Sequence, residues 1–365
     1  MDSNSSPQAP PSLVSSTISR TDYKLKPSYG AGAVWPLAGI LGPIIGVQLS
    51  NLGTKYPAYF SYQFLLKYPY FAPNAFCAIL VLAAFVIAYL VLKETAPSKR
   101  EGLAAPMNTP TSTYGIRNLL GVRKIRAITT SSFFLAFLSS AFSLVFWFFC
   151  YFPISHGGLG FSNYQVRSAR MLSDVLMVSA ELVLLPTLLR RMKPHHLYNA
   201  SMRIWPLAFL LLPCLHLIAR PDTTVDSDDA TRVNIRTVLL WTGIVVVMIC
   251  TRLAMLANTT NLILVRDACP SPACLGAANG ISLFTMSASR CLSPLFTSWI
   301  FSFSLPINIF GWFPLWVVIL MAISGVGCYF SERMVKLNET GDTQRHQELV
   351  VNNESSALSE DSRRR

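Results

Sequence analysis

Charged residues are scarce in this chain: only 13% of its 365 residues are Asp, Glu, Lys or Arg, whereas 52% are hydrophobic. A soluble protein carries about twice that share of charges, so the composition excludes an ordinary soluble domain. Histidine is also rare, with five residues. No His and acidic residues are paired at the spacing of a metal or hydrolytic centre. The sequence therefore predicts no enzyme, no cofactor and no metal site.

Apolar stretches of about twenty residues, each long enough to cross a hydrocarbon layer roughly 30 Å thick, make up most of the chain. Backbone groups inside lipid must satisfy one another, so helices are the expected form. We predict an all-α polytopic membrane protein with about eight transmembrane helices. The predicted spans are 33–49, 72–92, 128–151, 171–189, 204–219, 237–257, 276–301 and 310–330.

The spans divide unevenly along the chain. Residues 29–93 hold two, residues 94–127 form a basic linker rich in Pro, Ser and Thr, and residues 128–331 hold six. The polar segments 1–28 and 332–365 cannot bury enough apolar surface to offset the entropy of ordering, so both are predicted to be disordered tails. The sequence does not open with the pattern of a cleavable signal peptide, and the first span is expected to direct insertion.

Basic residues set the predicted orientation. With the first residue on the cytoplasmic side, seventeen Lys and Arg residues of the spans' flanks and loops fall on that side and seven on the other. Loops rich in Lys and Arg stay in the cytoplasm, so both ends and the linker 94–127 are predicted to be cytoplasmic. The net charge of +12 therefore reflects membrane topology, and no nucleic-acid partner is predicted.

The first span carries a sequence motif. Residues 34–47 read VWPLAGILGPIIGV, which resembles the Gly-Pro antiporter motif in the fifth helix of major facilitator superfamily drug:proton antiporters. The matching positions are Gly39, Gly42, Pro43 and Gly46. The sequence departs from the family at Pro36, Ala38 and Val47, where glycine is usual, and this puts the helix contact made by those glycines in doubt.

Later segments extend the resemblance in the same order as in the family. They include Gly157–Ser162, like the outer loop after the seventh helix, and Leu275–Gly280 and Ser289–Pro294, like the eleventh helix of fungal members. The chain thus resembles helices five to twelve of fungal transporters of the multidrug, tetracycline-resistance and zinc-induced-facilitator-like branch, without helices one to four. The resemblance implies a partial major facilitator fold and proton-coupled export of small drug-like molecules across the plasma or vacuolar membrane.

The missing counterparts of helices one to four affect the expected activity. Transport in this superfamily rocks two six-helix halves around a site between them, so this chain is not expected to complete a transport cycle alone. A homodimer could restore a closed bundle around the path. The alternatives are a non-transporting receptor or regulatory fragment and, with less support, a membrane-embedded enzyme.

Ionisable residues inside the spans are the candidates for the transport path, because charges at membrane depth are costly and usually face a cavity or a partner. They are Asp174, Glu181, Arg252 and Arg290. Glu181 and Arg290 are expected near mid-depth, either as a contact on the path or as a purely structural charge pair. Asp174 could instead lie in the outer headgroup layer, and Arg252 could reach the cytoplasmic surface.

Other reactive residues have simpler interpretations. Six of the eight cysteines fall inside spans as small packing residues, whereas Cys269 and Cys274 share a loop, where a disulfide or metal site is disfavoured. His216 is more typical of a hydrogen-bonded interfacial histidine than of a proton relay. The aromatic run from Phe133 to Tyr151 is more typical of packing or lipid-facing surface than of a drug-binding wall.

Overall fold

The structure is a computed structural model that describes residues 37–38, 41–42, 44–60, 62–91, 116–154, 157–219, 230–269, 274–304, 308–309 and 313–364. The chain is a polytopic helical membrane bundle. The helices described are α1 (Leu52–Lys55), α2 (Pro57–Phe60), α3 (Gln63–Lys67), α4 (Phe71–Val91), α5 (Ile116–Gly121), α6 (Arg123–Tyr151), α7 (Asn163–Ser179), the π-helix π1 (Ala180–Leu184), α8 (Leu185–Arg191), α9 (Pro194–Ala219), α10 (Ala230–Ala268), α11 (Leu275–Ser304) and α12 (Leu315–Arg364). Two short strands, β1 (Asn308–Ile309) and β2 (Phe313–Pro314), pair antiparallel between α11 and α12.

Six helical segments in the described part of the chain are long and apolar enough to cross a membrane: Phe71–Val91, Arg123–Tyr151, Tyr164–Arg191, Pro194–Ala219, Ile235–Ala268 and Leu315–Thr340. They correspond to six of the eight predicted spans. The predicted span 276–301 is helix α11, whose serines, threonines and Arg290 keep its hydropathy below that of the six. The predicted span 33–49 is described in part, and its described residues 37–38, 41–42 and 44–49 are helical.

Helix α12 departs from the sequence prediction. Residues 332–365 are predicted to be a disordered tail, yet α12 continues from the membrane span to Arg364. The segment after Ser331 contains no proline and a single glycine, and it is rich in Glu, Gln, Lys, Arg and Leu. These residues lose little side-chain freedom in a helix, so no local signal ends α12 where the apolar run ends.

Helix α6 is the centre of the bundle. It packs against α9, α10, α11 and α12, and 61% of its most apolar stretch is buried, the highest share among the candidate spans. Phe142 contacts Trp205 and Phe209 of α9 with ring centroids 6.0 and 5.5 Å apart. Tight packing of this kind associates helices in lipid, where burial of apolar surface adds little.

Two serines join α11 to α6. The hydroxyls of Ser289 and Ser293 donate to the carbonyls of Phe133 and Phe137 over 2.7 and 2.9 Å. Both serines are completely buried, and their four-residue spacing places them on one helix face. Small residues at this spacing let two backbones approach closely. The segment Ser289–Pro294, singled out in the sequence, therefore contributes packing between α6 and α11.

Helix α4 differs from the other spans because none of its residues is buried. Its exposed side chains include Phe85, Tyr89 and Leu90. A helix that is apolar on all sides and largely exposed is stable in lipid but not in water. Among the candidate spans in the described part of the chain, α4 is the one whose apolar composition and exposure most clearly indicate a membrane-spanning helix.

Gly158 lies in the turn between α6 and α7, at a position with no room for a side chain. A Cβ atom at this position would lie 2.0 Å from the carbonyl oxygen of Phe152, far inside contact distance. The Gly158 carbonyl also hydrogen-bonds with Nδ1 of His216 over 3.2 Å, which ties the turn to the end of α9. Gly157 and Gly160 on either side have positive φ angles of 86° and 64°, a region that favours glycine.

We predict that Gly158→Ala destabilises the protein by roughly 3 kcal/mol, because the Phe152 backbone must move to admit the methyl group. The measurement is the midpoint of thermal unfolding in detergent. Gly276→Ala is the matched control, since a Cβ at Gly276 of α11 meets no atom within 4 Å. Alanine there should leave stability unchanged or raise it slightly. Equal effects of the two substitutions would contradict the steric argument.

Candidate functional site

Helices α7, π1 and α8 form one span that is interrupted by the π-turn. The span begins with a capping box, in which the Ser162 hydroxyl accepts from the Gln165 backbone N–H and the Gln165 side chain accepts from the Ser162 N–H. Pro186 follows the π-turn and has no N–H to donate to the carbonyl of Leu182. The helix widens where this bond is missing. Such π-turns are frequent at functional sites.

Glu181 lies in the π-turn and is completely buried. Its two carboxylate oxygens accept from one donor, the hydroxyl of Thr259 in α10, over 2.9 and 3.0 Å. Thr259 is also buried. Because an isolated negative charge is costly inside a membrane, a carboxyl group held by a single neutral hydroxyl is suited to take up and release a proton.

Asp174 lies about two turns before Glu181, roughly 10 Å along the axis. It is 6% exposed, and Oδ2 is 3.4 Å from Nε of Arg170. The charges of Asp174 and Arg170 both act on Arg252 of α10. Asp174 is thus buried against protein in this structure.

The Glu181–Thr259 hydrogen bond and the Asp174–Arg252 charge interaction share one register. Asp174 and Arg252 are 78 residues apart in sequence, as are Glu181 and Thr259. An equal offset means that α7–π1 and α10 run side by side in the same direction over at least two turns. The structure therefore brings three of the four sequence-predicted path residues, Asp174, Glu181 and Arg252, to one helix–helix contact.

Several buried polar atoms of α7 and α10 lack a hydrogen-bond partner among the described residues: Ser173 Oγ, Arg252 Nε and Asn258 Oδ1. Buried polar atoms normally have partners, so an unpaired group points to water or a ligand. We refer to the whole set as the α7–α10 cluster: Arg170, Ser173, Asp174, Glu181, Arg252, Asn258 and Thr259.

Arg290 lies elsewhere. It is an exposed residue of α11, between the buried serines that face α6, and within the described part of the chain it forms no ion pair or hydrogen bond. Glu181 has Thr259 as its partner instead. The structure does not bring Glu181 and Arg290 into contact, and a shared role for them on a transport path stays a prediction.

Sequence reasoning missed the polar residues that face Glu181 and α6. Thr259 belongs to the polar run Asn258–Asn261 within the apolar α10. This run is the sequence feature that could have pointed to a polar partner for Glu181. Asn261 is completely buried, and its Oδ1 accepts from Ser132 of α6 over 2.8 Å. Thr260 donates to the Leu256 carbonyl. The run therefore joins α10 to both α7–π1 and α6.

The antiporter-motif residues are only partly described. Gly39 and Pro43 lie outside the described residues, and Gly42 and Gly46 are helical. A Cβ atom at Gly42 or Gly46 would meet no other atom within 4 Å. These two glycines form no close helix contact within the described part of the chain, and the role of the motif stays a prediction.

Cys269 and Cys274 are free thiols, like the other six cysteines. Cys274 is buried, and Cys269 donates to the Val265 carbonyl over 3.3 Å. Burial and the neighbouring Cys274 raise the pKa of the Cys269 thiol to about 11. Since the thiolate is the reactive form and the metal ligand, Cys269 is poorly suited to either chemistry at neutral pH.

The sequence analysis also missed a cluster of two histidines and a glutamate at the start of α9. His195 and His196 belong to the first turn of α9, and Nε2 of His196 is 3.5 Å from Oε1 of Glu339. The three side chains have potential metal-ligand atoms within 4.8 Å of one another. Ligands on one zinc ion lie about 3.3 Å apart, so the side chains would have to close in to share a metal.

An apolar groove of about 610 Å³ lies between α6, α11 and α12. It is lined by Phe133, Phe134, Phe137, Leu292, Leu295, Phe296, Trp299 and Ile323. It shares no residue with the α7–α10 cluster. The aromatic run of α6 is divided, since Phe142, Phe146 and Phe149 are buried in the core, while Phe133 and Phe134 face this groove.

Comparison with known proteins identifies relatives of the chain. It is 27% identical over 363 residues to the major facilitator-type transporter psiT2 of Psilocybe cubensis, which covers 90% of this chain and 68% of the relative. It is 28% identical to psiT2 of Psilocybe cyanescens, covering 93% and 70%. It is 22% identical to the major facilitator superfamily multidrug transporter mfsB of Aspergillus fumigatus, covering 80% and 59%.

These similarities agree with the resemblance found in the sequence motifs. No family model matches the chain, and no solved structure matches it. The relatives are membrane transporters by name, and the six candidate spans agree with a multi-pass membrane protein.

Proposed function

We propose that this chain, a relative of the major facilitator-type transporters, exchanges protons for small organic cations at Glu181 in a drug export cycle. One observation carries the proposal: both oxygens of a fully buried carboxyl group are held by the single hydroxyl of Thr259. The multidrug name of the Aspergillus fumigatus relative supports a drug-like substrate. Export across the plasma membrane or into the vacuole fits this exchange.

The cluster around Glu181 suits an exchange mechanism. A proton on Glu181 neutralises the charge while the site is closed, and a cation can replace that proton when the site opens. The opposite charges of Asp174 and Arg252 favour the packing of α7–π1 against α10, and the π-turn gives the segment bearing Glu181 an irregular backbone that can shift. Asn258 Oδ1 and Ser173 Oγ supply unpaired polar atoms close by.

We predict that the purified chain binds the fluorescent cation ethidium at least about tenfold more tightly at pH 8 than at pH 5. Proton and cation compete for the same carboxylate, so removing protons favours the cation. The measurement is a fluorescence titration in detergent at a series of pH values. Absent or pH-independent binding would overturn the proposal.

We propose further that helices α6 to α12 form one of the two halves that alternating access requires. Large apolar side chains remain exposed on α7–π1 and α11, among them Val183 at 69% and Leu295 at 73%. A second half, from further helices or a second copy, would cover such faces. We therefore predict that liposomes holding a single copy of the 365-residue chain bind ethidium but do not accumulate it when a proton gradient is imposed. Protonophore-sensitive accumulation would contradict this.

A further inference from the structure

A basic cavity opens between the first turns of α6 and the part of α12 that follows the apolar core of its span. Its volume is about 510 Å³, and its lining includes Arg123, Arg126, Thr130, Phe330 and Arg333. The two helices that bound it are 207 residues apart in sequence at Arg126 and Arg333 but pack directly against each other. The cavity shares no lining residue with the α7–α10 cluster.

Within the described part of the chain, no acidic residue pairs with the arginines of this cavity, Arg123, Arg126 and Arg333. The acidic neighbour of Arg333 in sequence, Glu332, pairs with Arg203 of α9 instead. Three arginines around one cavity repel one another unless an anion lies between them.

The start of α6 strengthens the preference for an anion. Helix N-termini favour negative charge because their first N–H groups have no intrahelical acceptor. Here the first turn contains no acidic residue, and Val122 at the N-cap provides no side-chain acceptor. Arg123 and Arg126 add positive charge at this same end. An external anion would satisfy both the arginines and the helix terminus.

The position of the cavity indicates a lipid as the source of that anion. The candidate span of α6 begins at Arg123 and that of α12 ends at Thr340, so the cavity lies at the level where headgroups meet the span ends. Phe330, Leu337 and Ala127 provide an apolar wall beside the arginines. A soluble phosphate would leave this wall unused, whereas the upper part of an acyl chain would cover it.

We propose that this cavity binds the phosphate headgroup of an anionic phospholipid. The predicted topology places the cavity on the cytoplasmic side, where anionic lipids are concentrated. Arg126 and Arg333 contact the phosphate from opposite helices, and the guanidinium groups can each bind two phosphate oxygens. The bound lipid joins the start of α6 to α12, the pair of helices between which Phe134 and Phe330 stack with ring centroids 5.3 Å apart.

The experiment measures binding of dioctanoyl phosphatidylinositol phosphate to the purified chain in neutral detergent by native mass spectrometry. We expect one saturable site. Arg126→Gln and Arg333→Gln should each weaken binding about fivefold, and the double variant about twenty-fivefold. Lys336→Gln is the matched control, because it removes an exposed cation of α12 that does not line the cavity, and it should change affinity less than twofold.

Two further arms identify the ligand. Dioctanoyl phosphatidylcholine tests the need for net negative charge, and free inositol phosphate tests the need for the lipid; we expect both to bind at least about fivefold more weakly. Equal loss with Lys336→Gln would show general surface attraction and overturn the site. Equal affinity for free inositol phosphate would overturn the lipid assignment. Circular dichroism of each variant, all at exposed positions, separates lost binding from lost folding.

Discussion

Replacing Glu181 with glutamine should remove the pH dependence of ethidium binding and reduce affinity at pH 8 by at least about tenfold. Glutamine has the shape of glutamate, and its carbonyl oxygen can still accept from Thr259. The π-turn is therefore expected to keep its structure while it loses the only group that takes up a proton there. The measurement is the same fluorescence titration, repeated across the pH series with the variant.

Glu332→Gln is the matched control for this experiment. Glu332 is a carboxylate near the end of the candidate span of α12 and pairs with Arg203. Its replacement removes one acidic group and leaves the α7–α10 cluster unchanged. We expect its titration to match that of the wild-type protein. Retained pH dependence in Glu181→Gln would assign proton exchange to another residue and would contradict the role given to Glu181.

The second large effect concerns stability. Asp174→Asn should destabilise the protein by roughly 3 kcal/mol, because Arg252 then keeps a charge within the bundle beside the like charge of Arg170. Asp174→Glu keeps the charge and should cost much less. Arg170→Gln removes the more exposed partner of Asp174, whose side chain is 47% exposed, and should cost at most about 1 kcal/mol.

A double variant separates charge from packing. Arg252→Met in the background of Asp174→Asn removes the stranded cation and leaves an apolar side chain of similar length. We expect the double variant to be more stable than Asp174→Asn alone, because coupled charges give non-additive effects. The midpoint of thermal unfolding in detergent is the measurement. Additive losses would show that Asp174 and Arg252 do not interact.

The sequence predicted the spans well where apolar residues are continuous. The predicted span 72–92 corresponds to α4 (Phe71–Val91), and 128–151 lies within α6 (Arg123–Tyr151). Span 237–257 fell short of α10, which continues to Ala268. The polar run Asn258–Asn261 resembles the end of a span, but inside the bundle its side chains bond to α6 and π1.

The candidate site was predictable only in part. A charge inside an apolar stretch is visible in any sequence, and this pointed to Asp174, Glu181 and Arg252. The π-turn was not visible, since it depends on backbone hydrogen bonds around Pro186 rather than on residue type alone. The partner of Glu181 could not be chosen either, because Thr259 lies two residues beyond the predicted span 237–257, and only packing decides whether Thr259 or Arg290 meets π1.

Proton release on binding is the most direct test of the central claim that Glu181 exchanges a proton for a cation. The wild-type chain is placed in weakly buffered detergent solution with a pH-indicator dye, and ethidium is added near the pH at which its affinity changes most. The account predicts a release of protons that saturates together with ethidium binding and that is absent in Glu181→Gln. Ethidium binding by the wild-type protein without any proton release would contradict it.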